Sequence, residues 1–265
     1  MNKGKRLEKI YSDIKQIKIQ GATNIAKAAV TAYLLDPSKK TKKKLLSLRP
    51  TEPTLSNALN YLEKWPKEKV IEHFDEAQEK INNNIYKIIK NNCVVYTHCH
   101  STNVGKALVY AKKKGKKFEV YNTETRPLYQ GRITAKELSN AKIKVTTFVD
   151  SAMQNAIKNS DIILLGSDAI LKNGVINKVG STAVSELAFI HKKPMYIVAD
   201  SWKFSPKNVK IEERNFKEVW KNAPKKIKIR NPAFEKIEKK YIKAIISEYG
   251  VLSYDNFIKK ADKHM

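Results

Sequence analysis

Four short segments of the sequence place reactive and charged side chains directly after apolar runs. A cysteine between two histidines follows one run, a carboxylate follows another, and an arginine and a lysine follow two more. Because ligands bind where the carboxyl ends of parallel strands meet, we expect these side chains to lie close together. A thiol, a carboxylate and cations in one place can move protons on a substrate with negative charge. The segments are 97–101 (Thr-His-Cys-His-Ser), 122–127 (Asn-Thr-Glu-Thr-Arg-Pro), 166–168 (Gly-Ser-Asp) and 200–206 (Asp-Ser-Trp-Lys-Phe-Ser-Pro).

Cys99, between His98 and His100, allows three interpretations: a metal ligand, a reactive thiol or an inert core residue. Adjacent side chains on an extended segment point to opposite faces, so three consecutive residues do not form a chelating set. We therefore predict no metal and no organic cofactor. We favour a reactive thiol, with its pKa lowered by basic groups and by a helix beginning at Asn103. An inert buried cysteine is the alternative, and it is the preferred interpretation of Cys93.

Asp168 follows four apolar residues and a Gly-Ser pair. At a partly dry strand end the pKa of a carboxyl rises, and such a group can give and take protons near neutral pH. The alternative is an aspartate that only forms a turn. Arg49 is one of six arginines in the chain. Guanidinium groups bind phosphate through two parallel hydrogen bonds, so Arg49 is a candidate for binding an anion.

The chain carries a net charge of +26, from 52 Lys and Arg against 26 Asp and Glu. Such a field attracts polyanions, among them phosphorylated metabolites. All but six of the basic residues are lysines, spread along the whole sequence. Arginine forks and aromatic stacking platforms, which are typical of proteins that read nucleic acid, are not evident. The pattern favours a solvated lysine-rich surface over a nucleic-acid interface.

The composition is that of a globular protein: 265 residues, 42% hydrophobic and 29% charged. It excludes wholesale disorder and fibrous repeats. No run approaches the roughly 20 uncharged apolar residues of a membrane-spanning helix. The basic N-terminus lacks the apolar core of a secretory signal. With two cysteines there is no disulfide framework, which favours a reducing cytoplasm.

Short apolar runs alternate with helical patterns after residue 90, and this alternation predicts parallel strand–helix–strand units in an α/β fold. We therefore expect a doubly wound, Rossmann-like parallel sheet. A capping box formed by Thr134 and Glu137 predicts the start of one helix. The predicted strands are 93–97, 118–121, 145–149, 161–165 and 195–199, and the predicted helices are 103–114, 134–141, 151–158 and 182–191.

The first 90 residues read as helical, with apolar residues at helical spacing. We predict an N-terminal helical domain over 1–90 and a Rossmann-like domain over 91–265. Between residues 35 and 49 the N-terminal segment is short, so we expect part of the helical region to be trimmed. The helical segments are expected near 10–19, 22–35, 55–62 and 67–89.

Several motifs, in order along nearly the whole chain, resemble those of the archaeal ribose 1,5-bisphosphate isomerases. That family is similar to the methylthioribose 1-phosphate isomerases and to the alpha, beta and delta regulatory subunits of the exchange factor of translation initiation. The motifs are 49–51 (Arg-Pro-Thr), 97–101 (Thr-His-Cys-His-Ser), 123–131 (Thr-Glu-Thr-Arg-Pro-Leu-Tyr-Gln-Gly), 175–180 (Val-Ile-Asn-Lys-Val-Gly), 202–206 (Trp-Lys-Phe-Ser-Pro) and 231–234 (Asn-Pro-Ala-Phe).

The resemblance implies a catalytic pair, Cys99 and Asp168, and a set of residues that bind a sugar bisphosphate. It also implies homo-oligomers, from dimers to hexamers, and activation by AMP in some members. Asn177 and Lys178, two residues of the binding set, have an alternative interpretation as part of a surface turn that binds nothing. The implied binding residues are Gln20, Gly21, Ala22, Thr23, Arg49, Ser101, Asn177, Lys178 and Lys203.

One departure from the family pattern concerns the binding set. The isomerases carry arginine where this chain has Gln20, and a second arginine where it has Asn24. Losing an arginine removes a charge-assisted phosphate contact worth about 1.5–3 kcal/mol. Lys18 or Lys27 could compensate for it.

The leading hypothesis is an aldose–ketose isomerase that converts ribose 1,5-bisphosphate to ribulose 1,5-bisphosphate in AMP breakdown. A non-catalytic regulatory subunit that binds a nucleotide or sugar phosphate is the alternative, and Gln20 favours it whereas Cys99 and Asp168 oppose it. Methylthioribose 1-phosphate as substrate and direct RNA binding are two further hypotheses.

Overall fold

The computed structural model describes residues 2–16, 18–19 and 21–264. Five helices occupy the N-terminal part, and they pack around a core that includes Ile14, Ile25, Leu45 and Leu59. The helices are α1 (Lys3–Lys15), α2 (Ala22–Leu35), α3 (Lys39–Leu48), α4 (Pro53–Tyr61) and α5 (Lys67–Ile88).

Helix α3 is the element of this part that the sequence analysis missed. Its lysines look like surface charge, yet the Ser38 hydroxyl caps the helix by accepting from the Thr41 amide at 3.2 Å. Thr41 and Leu45, one turn apart, are its buried residues. A stripe this narrow gives almost no periodic signal in a sequence of lysines.

A seven-stranded sheet forms the centre of the C-terminal part, and its order is β10-β9-β7-β4-β1-β2-β3. All neighbouring pairs are parallel except β9 with β10. The doubly wound α/β prediction is confirmed. The strands of this sheet are β1 (Cys93–Thr97), β2 (Phe118–Thr123), β3 (Lys144–Phe148), β4 (Ile162–Leu165), β7 (Met195–Val198), β9 (Ala244–Ser247) and β10 (Gly250–Leu252).

Helices cover both faces of the sheet. Residues Ile157, Val184 and Phe257 belong to the core on one face, and Ile85, Leu108 and Leu138 to the core on the other. The helices are α6 (Thr102–Lys113), α7 (Gln130–Asn140), α8 (Met153–Lys158), α9 (Ser181–Ile190) and α10 (Tyr254–Lys263).

Helix α7 begins four residues before its predicted start. Tyr129, in the left-handed region with φ of 58°, precedes it, and Thr134 lies inside the helix. The predicted capping box is therefore wrong. The Thr134 hydroxyl instead donates to the backbone carbonyl of Cys99 at 2.9 Å, a tertiary contact that sequence spacing does not reveal.

A small antiparallel sheet, β5 (Ala169–Leu171), β6 (Gly174–Lys178) and β8 (Phe234–Glu238), follows β4. The sequence analysis did not predict it. Asn177 and Lys178 lie on β6, paired with Glu235 and Phe234. Each of the two is 5% exposed, so the alternative of a surface turn is wrong for both.

The two parts of the chain share core residues. Ile81 and Ile85 in the last turns of α5, and Ile89 directly after it, pack into the core of the sheet. Trp202, which follows β7, packs against Val30 and Phe74 of the N-terminal helices. The domain boundary near residue 90 stays a prediction. In the described part of the chain, no helix is both long enough and apolar enough to span a membrane.

Candidate functional site

A polar cleft of about 830 Å³, counted out to its open mouth, lies at the carboxyl ends of β1 and β4. The chain runs from β1 towards β3 on one side and from β4 towards β9 on the other. In a doubly wound sheet, ligands bind at such a reversal of strand order. The cleft is lined by every predicted site residue that the structure describes: Gly21, Ala22, Thr23, Arg49, Cys99, Ser101, Asp168, Asn177, Lys178 and Lys203.

Gln20 lies outside the described residues, and the roles of the other ten stay predictions. The structure shows that these ten residues lie around one cleft. They come from α2, the α3–α4 connection, the segments after β1, β4 and β7, and strand β6.

Cys99 follows β1 in the left-handed region, with φ of 66°. This conformation is uncommon for a residue with a side chain. Two hydrogen bonds hold it: the Cys99 amide donates to the Thr125 hydroxyl at 3.0 Å, and its carbonyl accepts from Thr134. The thiol is thereby fixed at the wall of the cleft.

Burial raises the pKa of the Cys99 thiol to about 12. Asp168 adds to the rise, whereas the His100 amide, Lys178 and Arg214 act against it. The basic groups and the helix N-terminus in the sequence predict a lowered pKa. That expectation is wrong because enclosure by protein outweighs the cations and the helix N-terminus.

The histidines beside Cys99 are engaged by the fold. His98 Nε2 donates to the Val179 carbonyl at 2.9 Å, which leaves Nδ1 to accept from the Thr123 hydroxyl at 2.6 Å. Burial lowers the pKa of His98, which favours the neutral ring. His100 Nδ1 lies 3.0 Å from the Thr134 hydroxyl. Among the residues that the structure describes, no cluster of His, Cys, Asp and Glu could hold a metal ion.

Asp168 follows β4 and lines the same cleft as Cys99. Its amide donates to the Ile176 carbonyl at 2.9 Å, which ties it to β6. Burial raises the pKa of the Asp168 carboxyl, against the lowering effects of Lys203, Arg49 and Arg214. This direction agrees with the expectation for a partly dry strand end.

Close packing between the ends of β1 and β4 sets the two segments side by side. A Cβ atom at Gly166 would lie 2.5 Å from Ser101 Oγ, so only glycine leaves room there for Ser101. The Ser101 hydroxyl in turn accepts from the Val104 amide at 3.4 Å and caps α6.

Four cations line the cleft. Lys203 Nζ donates to Asn103 Oδ1 at 3.1 Å, and burial lowers the pKa of Lys178. Arg49 is ion-paired with Glu52 through Nη2 and lies 3.2 Å from Glu212 through Nε. The fourth cation is Arg214, whose Nε lies 3.7 Å from Glu212 Oε2.

Arg214 and Glu52 are cleft residues that the sequence analysis did not select. A signal existed for Arg214, as one of six arginines in a lysine-rich chain. For Glu52, next to the Arg-Pro-Thr motif, no sequence signal distinguishes a buried carboxylate from an exposed one. Asn103 and Gln130 are two further lining residues outside the predicted set.

The comparisons with known proteins agree with this architecture. The family model of the initiation factor 2 subunit family matches residues 22–254. A relative from Methanocaldococcus jannaschii, named ribose 1,5-bisphosphate isomerase, is 38% identical over 93% of this chain and 91% of its own length.

Two solved structures from Pyrococcus horikoshii OT3 are similar to the chain. One, titled as the translation initiation factor eIF-2B, has a TM-score of 0.84 at 24% identity over 94% of this chain and 97% of that one; at this identity the likeness shows the fold alone. The other, 5-methylthioribose 1-phosphate isomerase, has a TM-score of 0.80 at 25% identity over 98% and 88%. Since the family model spans most of the sequence, the chain belongs to the initiation factor 2 subunit family.

Proposed function

We propose that the protein is an aldose–ketose isomerase that converts ribose 1,5-bisphosphate to ribulose 1,5-bisphosphate. One observation carries the proposal: a thiol, a carboxyl of raised pKa and four cations line a single cleft at the reversal of strand order. The 38% identical relative named for this activity supports it.

Asp168 is the proposed proton donor. Opening the ribose ring requires a proton on the ring oxygen as the bond from that oxygen to C1 breaks. A carboxyl with a raised pKa still holds its proton near neutral pH and can deliver it. After this step the carboxylate is stabilised by Lys203 and Arg49, the two cations that act most on Asp168.

Cys99 is the proposed base at C2. Forming the carbonyl at C2 moves the hydrogen on C2 to C1 and releases the proton of the C2 hydroxyl, which balances the proton that Asp168 delivers to the ring oxygen. A thiolate at C2 can accept the hydroxyl proton directly, or it can carry the C2 hydrogen to C1 as a proton. Because burial holds the thiol in its neutral form, it must lose its proton before it acts. Lys178 and Arg214, which lower the pKa of Cys99, favour that loss.

The cations form the proposed phosphate sites. Arg49, Lys178, Lys203 and Arg214 supply charge-assisted donors. The first turn of α2 adds amide donors, since Gly21 precedes it without a side-chain cap. Helix N-termini of this kind bind phosphate. Two anion sites suit a bisphosphate.

We further propose four properties, among them the homo-oligomer and the activation by AMP that the resemblance implies. These are a place in AMP breakdown in the cytoplasm, a homo-oligomer (dimer or hexamer), AMP as an activator, and no metal or organic cofactor. Gel filtration with light scattering, and an assay with and without AMP, test two of them directly.

The decisive experiment follows ribulose 1,5-bisphosphate formation by the purified protein from ribose 1,5-bisphosphate. We expect turnover by the wild type and by Cys93→Ser, because Cys93 lies in the core of the sheet. We expect Cys99→Ser and Asp168→Asn to lose turnover. A folded wild type that binds the sugar bisphosphate without converting it overturns the proposal and favours a regulatory subunit that senses a sugar phosphate or nucleotide.

A further inference from the structure

Arg49 is already held by carboxylates in this structure. Its Nη2 is ion-paired with Glu52 Oε1, and its Nε lies 3.2 Å from Glu212 Oε1. Glu212 also lies 3.7 Å from Arg214 through its second oxygen. The four side chains form a row of alternating charge, of which Glu52, Arg49 and Arg214 line the cleft, so both guanidinium groups share their charge with carboxylates.

Glu52 is an unusual member of this row. Its side chain is 2% exposed, and Glu52 Oε2 is buried without a hydrogen-bond partner among the residues that the structure describes. A buried charged oxygen without a partner is costly, whereas the protonated carboxyl carries no net charge. Glu52 lines the cleft beside the cations that would bind an anion.

We propose that Glu52 takes up a proton when a phosphate group enters the cleft, and that this proton releases Arg49 to bind the phosphate. Glu52 is thus a positioning residue: it acts on the substrate through Arg49 and sets the pH range in which the cleft binds anions. The inference rests on the proposed function in that it treats the cleft as a phosphate site.

The charges around Glu52 support this coupling. It faces Arg49 from its own segment, Asp168 from the end of β4, Lys203 from the turn after β7, and Glu212 from the segment after that turn. Burial has the largest effect and raises the pKa of Glu52, the two carboxylates raise it further and the two cations lower it, so that the pKa lies at about 7.

A phosphate in contact with Arg49 adds negative charge next to this carboxyl. It also competes for the guanidinium that stabilises the charged form of Glu52. Both effects favour the protonated form, because like charges oppose ionisation and the compensating ion pair is lost. By linkage, a proton taken up on binding weakens binding as pH rises.

The test measures the dissociation constant of ribose 1,5-bisphosphate for the Cys99→Ser protein between pH 7.5 and 9. In this range the phosphate groups are fully ionised, since their second pKa is about 6. We expect the dissociation constant to rise up to about tenfold per pH unit. In Cys99→Ser with Glu52→Gln, we expect a nearly flat profile and binding about tenfold tighter at pH 8.5.

Glu213→Gln is the matched control, because Glu213 pairs with Arg230 at the surface rather than with the cleft. It should keep the slope of the parent protein. A slope that persists in Glu52→Gln overturns the proposal, and its loss in Asp168→Asn or in Lys178→Met would assign the proton to that residue instead. Weaker binding by Glu52→Gln across the whole range also overturns it.

A separate measurement with inorganic sulfate, which does not titrate in this range, separates this inference from the proposed function. Sulfate protection of the fold against heat should show the same dependence on pH and on Glu52. If sulfate follows this pattern while ribose 1,5-bisphosphate does not bind, the proposed substrate fails and the role of Glu52 stands. If sulfate protection does not depend on pH or on Glu52, the role of Glu52 fails.

Discussion

Cys99 combines a reactive residue type with surroundings that suppress its reactivity. With a pKa of about 12, very little thiolate exists at pH 8. We expect iodoacetamide to label Cys99 in the folded protein about a thousandfold more slowly than an ordinary thiol. Mass spectrometry of the labelled peptide gives the rate, and the urea-unfolded chain provides the reference.

The pH dependence of that labelling separates ionisation from access. If ionisation limits the rate, it should climb steadily up to pH 10 without levelling off. A rate in the folded protein that levels off below pH 8 would contradict a raised pKa and restore the thiolate expected from the sequence.

Arg214 is the cleft cation that the sequence analysis missed. Its guanidinium lies near Glu212, as that of Arg49 does. It lowers the pKa of both Cys99 and Asp168, against the larger effect of burial. Arg214→Met should raise the KM for ribose 1,5-bisphosphate about ten- to a hundredfold, the range expected for a lost charge-assisted contact. Arg230→Met, which removes an exposed arginine paired with Glu213, should leave KM unchanged. Equal effects of the two substitutions would place Arg214 outside the phosphate site.

At the level of residues, the sequence predicts which side chains lie together where a reactive residue type follows a strand end; the roles of these residues stay predictions. Cys99 and Asp168 each follow a buried apolar run, and the order of the sheet then places them side by side. Glu52 could not be found in this way, since its burial depends on the contact of the α3–α4 connection with segments more than 100 residues away. The predicted direction of the Cys99 pKa shift is wrong for the same reason, because burial depends on the tertiary structure.

Gly131 determines how α7 seats against the sheet. A Cβ atom there would lie 1.7 Å from the Thr123 carbonyl oxygen, and the Gly131 carbonyl accepts from Nδ2 of the Asn122 side chain at 2.7 Å. Gly131→Ala must push the helix from β2, so we expect a loss of about 2 kcal/mol or more in the free energy of unfolding. Urea denaturation measures it.

The matched control for this element is Gly4→Ala, in α1, where the nearest atom to an added Cβ is 4.0 Å away. Alanine is the better helix former by roughly 1 kcal/mol, so this change should be neutral or stabilising. Two glycine substitutions with equal effects would show that the close approach at Gly131 relaxes without cost.

Elements were predictable where apolar runs are long and periodic. The sequence analysis predicted β1, α2 and α5 to within one residue at each end. It missed β5, β6 and β8. The strands β5 and β6 are short and have no helix between them to mark their spacing, and β8 lies more than 50 residues further along the chain, beyond α9 and β7. The start of α7 was misplaced because Thr134 and Glu137 mimic a cap while Tyr129 precedes the real first turn.

At the scale of the molecule, the excess of lysine is a property of the surface. Among the residues that the structure describes, Lys178 and Lys203 are the two buried lysines, and both line the cleft. The other lysines are exposed or partly exposed, and some form ion pairs, such as Lys144 with Glu119. This distribution supports the interpretation as a solvated surface, and it concentrates the two exceptions at the proposed site.

A pair of carboxylates away from the cleft links the whole fold to pH. Both oxygens of Asp200 are buried with no hydrogen-bond partner in the described part of the chain. Glu248 accepts from the Ser201 amide at 3.1 Å. Burial and the charge of Asp200 raise the pKa of Glu248 from its ordinary value of 4.5 to about 7.

The folded protein therefore keeps a proton on Glu248 at pH values where the unfolded chain has lost it. This proton stabilises the folded state by up to about 3 kcal/mol. The stabilisation is fully present below about pH 4.5 and is lost as pH rises through about 7. In Glu248→Gln the oxygen of the glutamine side chain can still accept from the Ser201 backbone amide, but the side chain does not titrate. Relative to the wild type, the variant should thus gain stability between pH 5 and pH 8, as urea denaturation at each pH measures. Glu238→Gln is the control, at an exposed position paired with Lys240, and its free energy of unfolding should differ from that of the wild type by the same amount at every pH. If the difference for Glu248→Gln is also constant with pH, Glu248 has the same pKa in the folded and unfolded states, which contradicts this prediction.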